Sequence, residues 1–462
     1  MNTNIPDIFW QKYEKMLSKA DFSKFQKACL QGLRKSIRVN TIKISVKDFL
    51  KKAKKMGWEL DPIPWADDGF WIEREDRSIA LGKNVLHTAG YFYIQEASSM
   101  IPPAIANLEE DTLVLDFAAA PGSKTTQIAS KMNDTGVILA NEPESSRIKA
   151  LASNVARLGC SNILISQKDG RAFSQYFPNF FDTIFLDAPC SGEGTIRKDR
   201  HALDNWNAKK VKLFADIQWS LITEAFRALK PGGELIYSTC TLSPEEDEDI
   251  INRLLETFQG VSEIVPITAP WAKKNKLLPG TLRVWPHTYN TEGFFVAKVK
   301  KTQITERGNF IQAKRNSPFS KMSKSSFQII KKYFIEWFGI TMENKNLFER
   351  SNEIWVRPEK FEKVTEKTTI HRGGILLCSL HKNNIKLTHE GGLYLARKYK
   401  FKAGVINLDA KECEDFFNRK DLKTDFGTKQ YVLFTHQDIF IGIGKALEGK
   451  IKNQLPLHFS TS

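Results

Sequence analysis

The chain has 462 residues, 41% hydrophobic and 26% charged, and its 68 Lys and Arg against 53 Asp and Glu give a net charge of +15. This length predicts two or three domains, and the basic charge favours a polyanionic partner, nucleic acid before membrane surface. Because no apolar run reaches the roughly 20 residues that span a bilayer, and the N-terminus lacks a secretory pattern, we expect a cytoplasmic protein without a membrane partner. Six scattered cysteines without a CxxC motif argue against a metal site or a disulfide framework.

The first part of the chain, residues 1–105, mixes helical and extended patterns. Apolar spacing predicts helices over 7–17 and 22–32, and residues 36–44 read as a strand. A lysine-rich helix follows over 46–58. Its lysines form either a solvated face or a surface that contacts RNA: Lys47, Lys51, Lys52, Lys54 and Lys55.

From residue 110 to residue 300 short apolar strands alternate with helices, which predicts a parallel, doubly wound sheet. The helices include 145–159 and 211–230, and 291–299 is a last strand that closes the sheet. The other predicted strands are 112–118, 136–142, 162–167, 181–188 and 233–240.

The remaining chain begins with a basic connector, residues 298–332, which holds ten Lys and Arg and one Glu. This composition has the potential to contact phosphates. Beyond it, glycine-punctuated segments at 371–380, 385–396 and 430–447 predict a small β-rich module.

A doubly wound sheet binds ligands beyond the carboxyl ends of its strands. After the first strand, the chain makes a turn of small residues that lets a ligand approach the backbone, and the next helix presents free N–H groups there. A plain tight turn is the alternative. The residues of this turn are Ala118, Ala119, Ala120, Pro121, Gly122, Ser123 and Lys124.

The next three strands also end in acidic residues. Glu142 lies about 20 residues beyond the small-residue turn, where a carboxylate accepts hydrogen bonds from ribose hydroxyls. Asp169 is placed to meet an adenine amino group, and Asp187 ends the fourth strand. Each acid alone is more often a helix cap or a surface charge, but the series predicts a nucleotide-like cofactor.

Two cysteines follow strands of this sheet, Cys190 in a Pro-Cys pair and Cys240 in a Thr-Cys pair. A thiolate that adds to a pyrimidine ring, with a second group that helps it leave, is chemistry that needs such an arrangement. Positive charge from Lys124 or from Arg197 and Lys198 would lower the pKa of the active thiol. Taken singly, a free cysteine is more often a small buried hydrophobe, and Cys29, Cys160, Cys378 and Cys413 keep that interpretation.

The segments DFAAAPGSKTTQIA, NEPESSRIKALASNVARLG, DAPCSGEGTIRKD and YSTCTLSPEEDE, in this order, resemble the Sun-type RNA (cytosine-5) methyltransferase family. The resemblance extends to SIRVNT, YIQEASSM and GFFVAKV and covers roughly residues 30–300. Within the family, the RsmF-type bacterial 16S rRNA enzymes fit best, because they continue into a C-terminal PUA-like module.

The resemblance implies a class I, Rossmann-like, S-adenosyl-L-methionine-dependent methyltransferase sheet with a small α/β N-terminal region and a C-terminal PUA-like, β-rich RNA-binding module. We expect four parts. They are an N-terminal RNA-binding region (1–105), the catalytic domain (106–300), a basic connector with a small α/β region (301–370) and the PUA-like module (371–462).

The resemblance also implies roles for the site residues. Residues 118–124 would wrap the methionine part of S-adenosyl-L-methionine, Glu142 would hold its ribose and Asp169 would lie by its adenine. Asp187 would lie near both the cofactor and the base, and a protonated Asp187 would donate to N3. Cys240 would be the nucleophile and Cys190 would assist release, whereas DNA cytosine-5 methyltransferases attack with the Pro-Cys cysteine.

The expected partner is RNA, 16S rRNA or the small ribosomal subunit, and the expected state is a monomer. The same chemistry on tRNA and a non-catalytic ribosome-assembly factor remain alternatives, and a DNA substrate is a weaker one. We also expect that removing residues 333–462 weakens RNA binding and leaves cofactor binding intact.

Overall fold

The computed structural model describes residues 5–199, 201–305, 311, 317–382, 384–423 and 430–456. Short 3-10 helices occur at Leu81–Lys83, Ser98–Met100, Gly170–Ala172, Glu193–Arg197, Pro244–Glu246 and Glu359–Phe361. Among the described helices, none is both long and apolar enough to cross a bilayer.

The N-terminal region is a small antiparallel sheet with helices, as its mixed pattern predicts. Its strands are β1 (Ser36–Val39), β2 (Trp58–Ile63), β3 (Ala66–Arg74) and β4 (Phe92–Ile94), in the order β2-β3-β1-β4. Its helices are α1 (Asp7–Glu14), α2 (Lys19–Leu30), α3 (Val46–Lys55), α4 (Val85–Thr88) and α5 (Ile101–Ile105).

The central sheet is built from the strands that the apolar runs predicted. The strands are β5 (Leu113–Asp116), β6 (Val137–Asn141), β7 (Ile163–Ser166), β8 (Phe181–Asp187), β9 (Leu229–Thr239), β10 (Ser262–Ile264), β11 (Leu282–Val284) and β12 (Phe294–Lys301). The intervening helices are α6 (Ser123–Lys131), α7 (Ser145–Leu158), α8 (Phe173–Tyr176), α9 (Ala208–Ala228), α10 (Glu248–Thr257) and α11 (Pro286–Tyr289).

The strand order of this sheet is β10-β12-β9-β8-β5-β6-β7, and β11 pairs with β12. Strands β5, β6, β7, β8 and β9 run parallel to one another, whereas β12 is antiparallel to β9. The order reverses at β5, where successive crossovers turn to opposite sides, and a ligand crevice forms at such a point. This is the doubly wound sheet that we predicted, with the strand at 291–299 closing it.

Both faces of the central sheet are buried, because alternate residues of each strand point to opposite sides. On one face Leu115 and Leu186 pack with Phe226 of α9. On the other face Val114 and Phe185 belong to a cluster with residues of α6 and α7.

The C-terminal part contains two separately hydrogen-bonded groups of strands. The strands are β13 (Ser320–Lys321), β14 (Leu347–Arg350), β15 (Glu353–Val356), β16 (Arg372–Gly373), β17 (Ile375–His381), β18 (Asn384–Leu387), β19 (Val405–Asn407), β20 (Tyr431–His436), β21 (Ile439–Leu447) and β22 (Lys450–Asn453). One sheet has the order β13-β14-β15-β17-β18 and another β19-β20-β21-β22, whereas β16 belongs to neither and pairs with β7 of the central sheet. The helices are α12 (Lys324–Phe338), α13 (Glu362–Thr365), α14 (His389–Lys398) and α15 (Ala410–Phe417).

The prediction of a β segment over 385–396 was wrong for most of its length, since β18 ends at Leu387 and α14 follows. Thr388 caps α14 by accepting a hydrogen bond from the backbone N–H of Gly391 at 2.9 Å. An added Cβ at Gly391 would meet the backbone of Leu377, and one at Gly392 would meet Ile443. The two glycines therefore let a helix pack closely on β17 and β21, rather than marking a strand.

The basic connector is only partly an RNA-facing candidate, because its first lysines lie inside β12. Lys298 forms an ion pair with Glu234 at 2.9 Å, and Lys301 is fully buried and donates to Leu229 O at 2.7 Å. Residues 306–310 and 312–316 of the connector lie outside the described residues. The idea that Lys298 and Lys301 contact phosphates was wrong.

The C-terminal part is packed against the rest of the molecule. β16 pairs with β7, so residues 372–373 extend the edge of the central sheet. Phe434 and Ile441 share a buried cluster with Phe92 of the N-terminal region. These contacts join the predicted parts through continuous cores.

Candidate active site at the carboxyl edge of the sheet

The two cysteines singled out in the sequence meet beyond the ends of neighbouring strands. Asp187 at the end of β8 lies opposite Ser238 near the end of β9, so the two following loops leave the sheet at the same level. The Sγ atoms of Cys190 and Cys240 are 3.1 Å apart, and both residues are half-buried and free of disulfides. The structure thus brings Asp187, Cys190 and Cys240 into one mouth. Cys29, Cys160, Cys378 and Cys413 are buried, as predicted.

A lysine of the small-residue turn reaches this mouth, the place where Asp187, Cys190 and Cys240 lie together. Lys124 Nζ donates to Asp187 Oδ2 at 2.6 Å and to Ser99 Oγ at 2.9 Å. Burial works against the charge of Lys124, but the Asp187 carboxylate outweighs it, so the pKa of the ammonium group is raised. Asp187 Oδ1 accepts a further hydrogen bond from Ser238 Oγ at 2.7 Å. Both oxygens of the Asp187 carboxyl group therefore accept hydrogen bonds within the protein, and the protonated Asp187 that the resemblance implies stays a prediction.

The thiols differ in their electrostatic surroundings. The hydrogen bond with Cys240 and burial raise the pKa of Cys190 well above its ordinary value. Lys124 lies within electrostatic range of Cys240.

Glu246, which the sequence analysis missed, holds both cysteine loops. Its Oε2 accepts hydrogen bonds from Ser191 N at 2.8 Å and from Gln218 Nε2 at 2.9 Å. The same Gln218 amide donates to Pro189 O at 2.9 Å, and Thr241 Oγ1 donates to Glu246 Oε1 at 3.4 Å. The only signal in the sequence is the acidic run after Cys240, which reads equally well as a helix start.

The suggestion that Arg197 lowers the pKa of the active thiol stays a prediction, and the contacts of Arg197 join other loops. Arg197 is buried, and its guanidinium donates to Thr291 O and Gly32 O, both at 3.0 Å, and to Asn290 Oδ1 at 2.8 Å. These contacts tie the loop after Cys190 to the N-terminal region and to the segment before β12. The role of Arg197 is therefore to hold loops together.

The small-residue turn lies at the end of β5 as predicted. Gly122 has φ +102° and begins α6 without a side-chain cap, so the first N–H groups of that helix are available to a ligand. The buried Glu142 at the end of β6 accepts from Ala120 N at 3.3 Å and pairs with Arg147 at 3.4 Å. The turn and Glu142 are thus in direct contact.

Asp169 lies beyond β7, the neighbour of β6. Its hydrogen bonds with the exposed Arg171 lower its pKa, and it caps the following turn by accepting from Arg171 N at 2.9 Å. A second acid, Asp116, ends β5 and was given no role from the sequence. It is fully buried at the end of β5, where burial raises its pKa to about 7 and Thr125 Oγ1 donates to it at 2.6 Å. Asp116 fixes the start of α6.

An arginine of the upstream motif SIRVNT supports the start of α6 at the carboxyl edge of the sheet. Arg38 of SIRVNT is fully buried and donates to Ser123 O and to Gln95 Oε1, both at 2.6 Å. Its other terminal nitrogen donates to Thr126 Oγ1 at 2.9 Å. Arg38 therefore anchors the first turn of α6 and does not face a substrate.

A buried carboxyl group, Glu292, lies next to this network and was also missed. Its backbone N–H donates to Glu96 Oε1 at 3.2 Å, and Glu96 Oε2 accepts from Ser99 N, also at 3.2 Å. Burial, with the nearby negative charge of Glu96, raises the pKa of Glu292 to about 8. Since Ser99 also binds Lys124, a chain of contacts runs from Glu292 to Asp187.

Three family models match successive parts of the chain. Residues 103–300 match the family described as 16S rRNA methyltransferase RsmB/F, residues 5–97 the N-terminal domain of 16S rRNA methyltransferase RsmF, and residues 403–459 the methyltransferase RsmF PUA domain. Ribosomal RNA small subunit methyltransferase F of Vibrio parahaemolyticus is 40% identical, with 98% of this chain and 97% of that protein aligned. The chain belongs to the RsmF family.

Other relatives give the same result. The RsmF protein of Aeromonas hydrophila is also 40% identical, over 98% of this chain and 97% of its own. The crystal structure of a methyltransferase homologue from Pyrococcus horikoshii is 32% identical, with a TM-score of 0.58 over 65% of this chain and 96% of that one. The central sheet is thus a class I, Rossmann-like methyltransferase sheet, and the RsmF-type chain carries a C-terminal PUA domain.

Proposed function

We propose that this protein transfers a methyl group from S-adenosyl-L-methionine to C5 of a cytidine in 16S rRNA. Membership of the RsmF family supports the methyltransferase activity and the RNA substrate. The observation that carries the chemistry is the pair of thiols, Cys190 and Cys240, 3.1 Å apart beside the Lys124–Asp187 ion pair.

Cys240 is the nucleophile in this proposal. Its thiolate forms a bond to C6, and the electrons of the C5–C6 double bond make C5 nucleophilic, which divides one hard step into easier ones. The raised pKa of Cys190 keeps its proton in place, so Cys190 can donate a hydrogen bond to the Cys240 thiolate. Lys124, which is ion-paired with Asp187, lies within electrostatic range of the same sulfur.

Release of the product follows methylation of C5. A base takes the C5 proton, the C5–C6 double bond re-forms, and the C6–S bond breaks with its electron pair returning to Cys240. Cys190 assists this step, because its Sγ lies against the sulfur that leaves. Asp187 accepts hydrogen bonds from Lys124 and Ser238, so it lies between the cysteine loops and the small-residue turn and orients the turn relative to the loops.

The residues present at the end of β5 and β6 fit S-adenosyl-L-methionine. The uncapped start of α6 offers N–H groups, the small side chains of Ala118, Ala119 and Ala120 let a ligand approach the backbone, and Glu142 offers a carboxylate for ribose hydroxyls. Asp169 lies on the neighbouring strand end for the adenine. S-adenosyl-L-methionine, when bound, supplies the electrophilic methyl group.

The target cytidine must leave its stack to reach this mouth, which costs a few kcal/mol unless it is already unpaired. An unpaired region of 16S rRNA or of the small subunit is therefore the expected substrate, and tRNA is the alternative. We propose that the protein acts in the cytoplasm as a monomer. Light scattering during gel filtration tests the oligomeric state.

Bisulfite sequencing tests the function. The purified protein and S-adenosyl-L-methionine are incubated with naked 16S rRNA, small subunits and total tRNA. A new protected cytidine in 16S rRNA or the subunit supports the proposal and identifies the position. Protection only in tRNA keeps the chemistry and replaces the substrate, and no protection in any RNA contradicts the proposal.

A further inference from the structure

A cavity of about 300 Å³ lies between the first two helices and the segment around β11. This volume is at the lower end of the range of small-ligand pockets. Its lining combines rings with exposed ammonium groups: Trp285, His287, Tyr289, Lys273, Lys274 and Lys276.

The register of the sheet places this cavity beside the cysteines. Arg283 lies opposite Phe295, which in turn lies opposite Thr239. Trp285 therefore lies at the level of the residue after Cys240, two strands away, or about 10 Å at the usual strand spacing. Arg283 also donates to Leu242 O at 2.5 Å, which joins the cavity wall to the loop that carries Cys240.

The charges of the lining favour an anion. Arg283 forms an ion pair with Glu248, and Asp21 forms an ion pair with Lys24 at 3.9 Å. The three exposed lysines thus dominate the rim. Phosphate groups are the anions that such a rim attracts, with a strong dependence on salt.

The rings of the lining favour a base. Bases stack on aromatic side chains and present hydrogen-bonding edges. Burial lowers the pKa of His287, so its imidazole is neutral near pH 7 and offers one donor and one acceptor. Among the described residues, His287 Nδ1 is buried without a hydrogen-bond partner, so Nε2 is the ring nitrogen of this half-buried side chain that a base in the cavity would meet.

We propose that this cavity binds an unpaired RNA nucleotide that flanks the target cytidine. The base lies against Trp285 and Tyr289, and its phosphate lies near Lys273, Lys274 and Lys276. This inference rests on the proposed function and names a second contact of the same substrate. It explains how a chain with its catalytic mouth at the sheet edge holds the RNA while one base is turned out.

Crosslinking tests the position. Full-length protein is bound to 16S rRNA in which a fraction of uridines carries 4-thiouridine, irradiated, and analysed by mass spectrometry and reverse transcription. We expect peptides covering residues 273–289 to crosslink to nucleotides beside the cytidine found by bisulfite sequencing. Crosslinks from other peptides without any from 273–289, or from 273–289 only to distant nucleotides, overturn the proposal. If no RNA is methylated, the proposed function fails, and crosslinks at 273–289 still show whether the cavity binds RNA.

Kinetics test the charge. The variant Lys273→Ala, Lys274→Ala, Lys276→Ala should raise KM with kcat unchanged, and it should reduce the slope of log KM against log salt concentration by about 0.7 for each phosphate that is no longer neutralised. The matched control, Lys131→Ala, Lys149→Ala, Lys363→Ala, removes the same charge from exposed positions elsewhere. Equal effects in both variants would mean that only net charge matters and would overturn the proposal.

His287→Ala removes the buried imidazole and leaves the lysines in place. We expect its KM to rise about tenfold, the upper part of what a hydrogen bond in a binding site contributes, with an unchanged salt slope. A normal KM in a folded His287→Ala protein would contradict the base-binding part of the proposal.

Discussion

At the scale of single residues, two half-buried thiols that hydrogen-bond to each other have different tasks in the proposed reaction. The pKa of Cys190 is raised by its hydrogen bond to Cys240 and by burial. Lys124 lies in electrostatic range of Cys240. A thiol that keeps its proton is a poor nucleophile but a good neighbour for a thiolate.

Substitution of each thiol separates these tasks. Cys240→Ala should abolish methylation and form no covalent RNA adduct, whereas Cys190→Ala should still attack C6 and stall as an adduct. Denaturing gels with labelled 16S rRNA detect the adduct as a slow band that RNase removes. Cys413→Ala, which removes a thiol of the C-terminal part, is the control. A band that persists in Cys240→Ala and vanishes in Cys190→Ala would reverse the assignment.

Glu292 should make stability depend on pH. Its pKa is raised to about 8 by burial and by Glu96, against the opposing charges of Lys198, Lys124 and Arg197. Between about pH 4.5, where the unfolded carboxyl titrates, and about pH 8 the folded state binds more protons. The free energy of unfolding therefore falls as the pH rises through this window, by up to about 1.4 kcal/mol per pH unit for one proton.

Glu292→Gln keeps the shape of the side chain and removes this ionisation. Urea unfolding at pH 6 and pH 8 should show a smaller loss of stability in the variant than in the original protein. Other buried acids, including Asp116, contribute equally to both proteins, so the difference reports on Glu292. Identical losses in both proteins would show that Glu292 is already ionised at pH 6.

At the scale of elements, the site depends on the close approach of two loops through glycine. Gly194 N donates to Cys240 O at 3.0 Å, and Gly293 N donates to Gly194 O at 2.9 Å. A Cβ on Gly194 would lie 2.7 Å from Cys240 O and would also meet the backbone of Gly293. The loops after β8 and β9 and the start of β12 thus form one backbone unit.

Gly194→Ala should disturb this unit. The clash is with backbone, so the loop carrying Cys240 must move, and we expect at least a tenfold loss of kcat, because small misplacements of reacting groups are costly. Gly32→Ala is the matched control, since nothing lies within 4 Å of the added Cβ. Single-turnover methylation measures both, and a Gly194→Ala enzyme with normal kcat would contradict this prediction.

At the scale of the whole molecule, the C-terminal part is a structural support of the catalytic domain. Arg397 of α14 pairs with Asp134 at 2.6 Å, both side chains buried, and donates to Gly159 O at 3.0 Å. β16 covers the edge strand β7. Removing residues 333–462 would expose these surfaces, so we expect the truncation to destabilise cofactor binding as well, contrary to the expectation from the sequence.

A point substitution tests this support without truncation. Arg397→Met leaves the buried Asp134 carboxylate without its cation, which typically costs about 3–5 kcal/mol. Chemical unfolding should show a lower midpoint. Lys411→Ala, which breaks an exposed pair with Glu414, should change the midpoint little. Equal midpoints for Arg397→Met and the original protein would mean that the interface contributes no stability.

The sequence by itself determined the central sheet and the location of its site. Strand and helix periods are local patterns, so the amino-acid order alone predicts β5 to β9 and the residues that follow each strand, from Ala118 to Cys240. Residues 389–398 form a helix, although the sequence predicted a β segment there. The glycines of this helix allow close packing against β17 and β21, and local sequence patterns do not reveal such packing.

Only the tertiary structure decided which side chains share the site. Glu246 and Glu292 sit in acidic or β contexts that fit many roles, and their contacts join segments far apart along the chain. It also showed that Arg38 and Arg197 are buried and hold neighbouring segments together through hydrogen bonds. The physical reason is that burial, ion pairing and pKa depend on neighbours brought together by the chain path, whereas local periodicity depends only on neighbours in sequence.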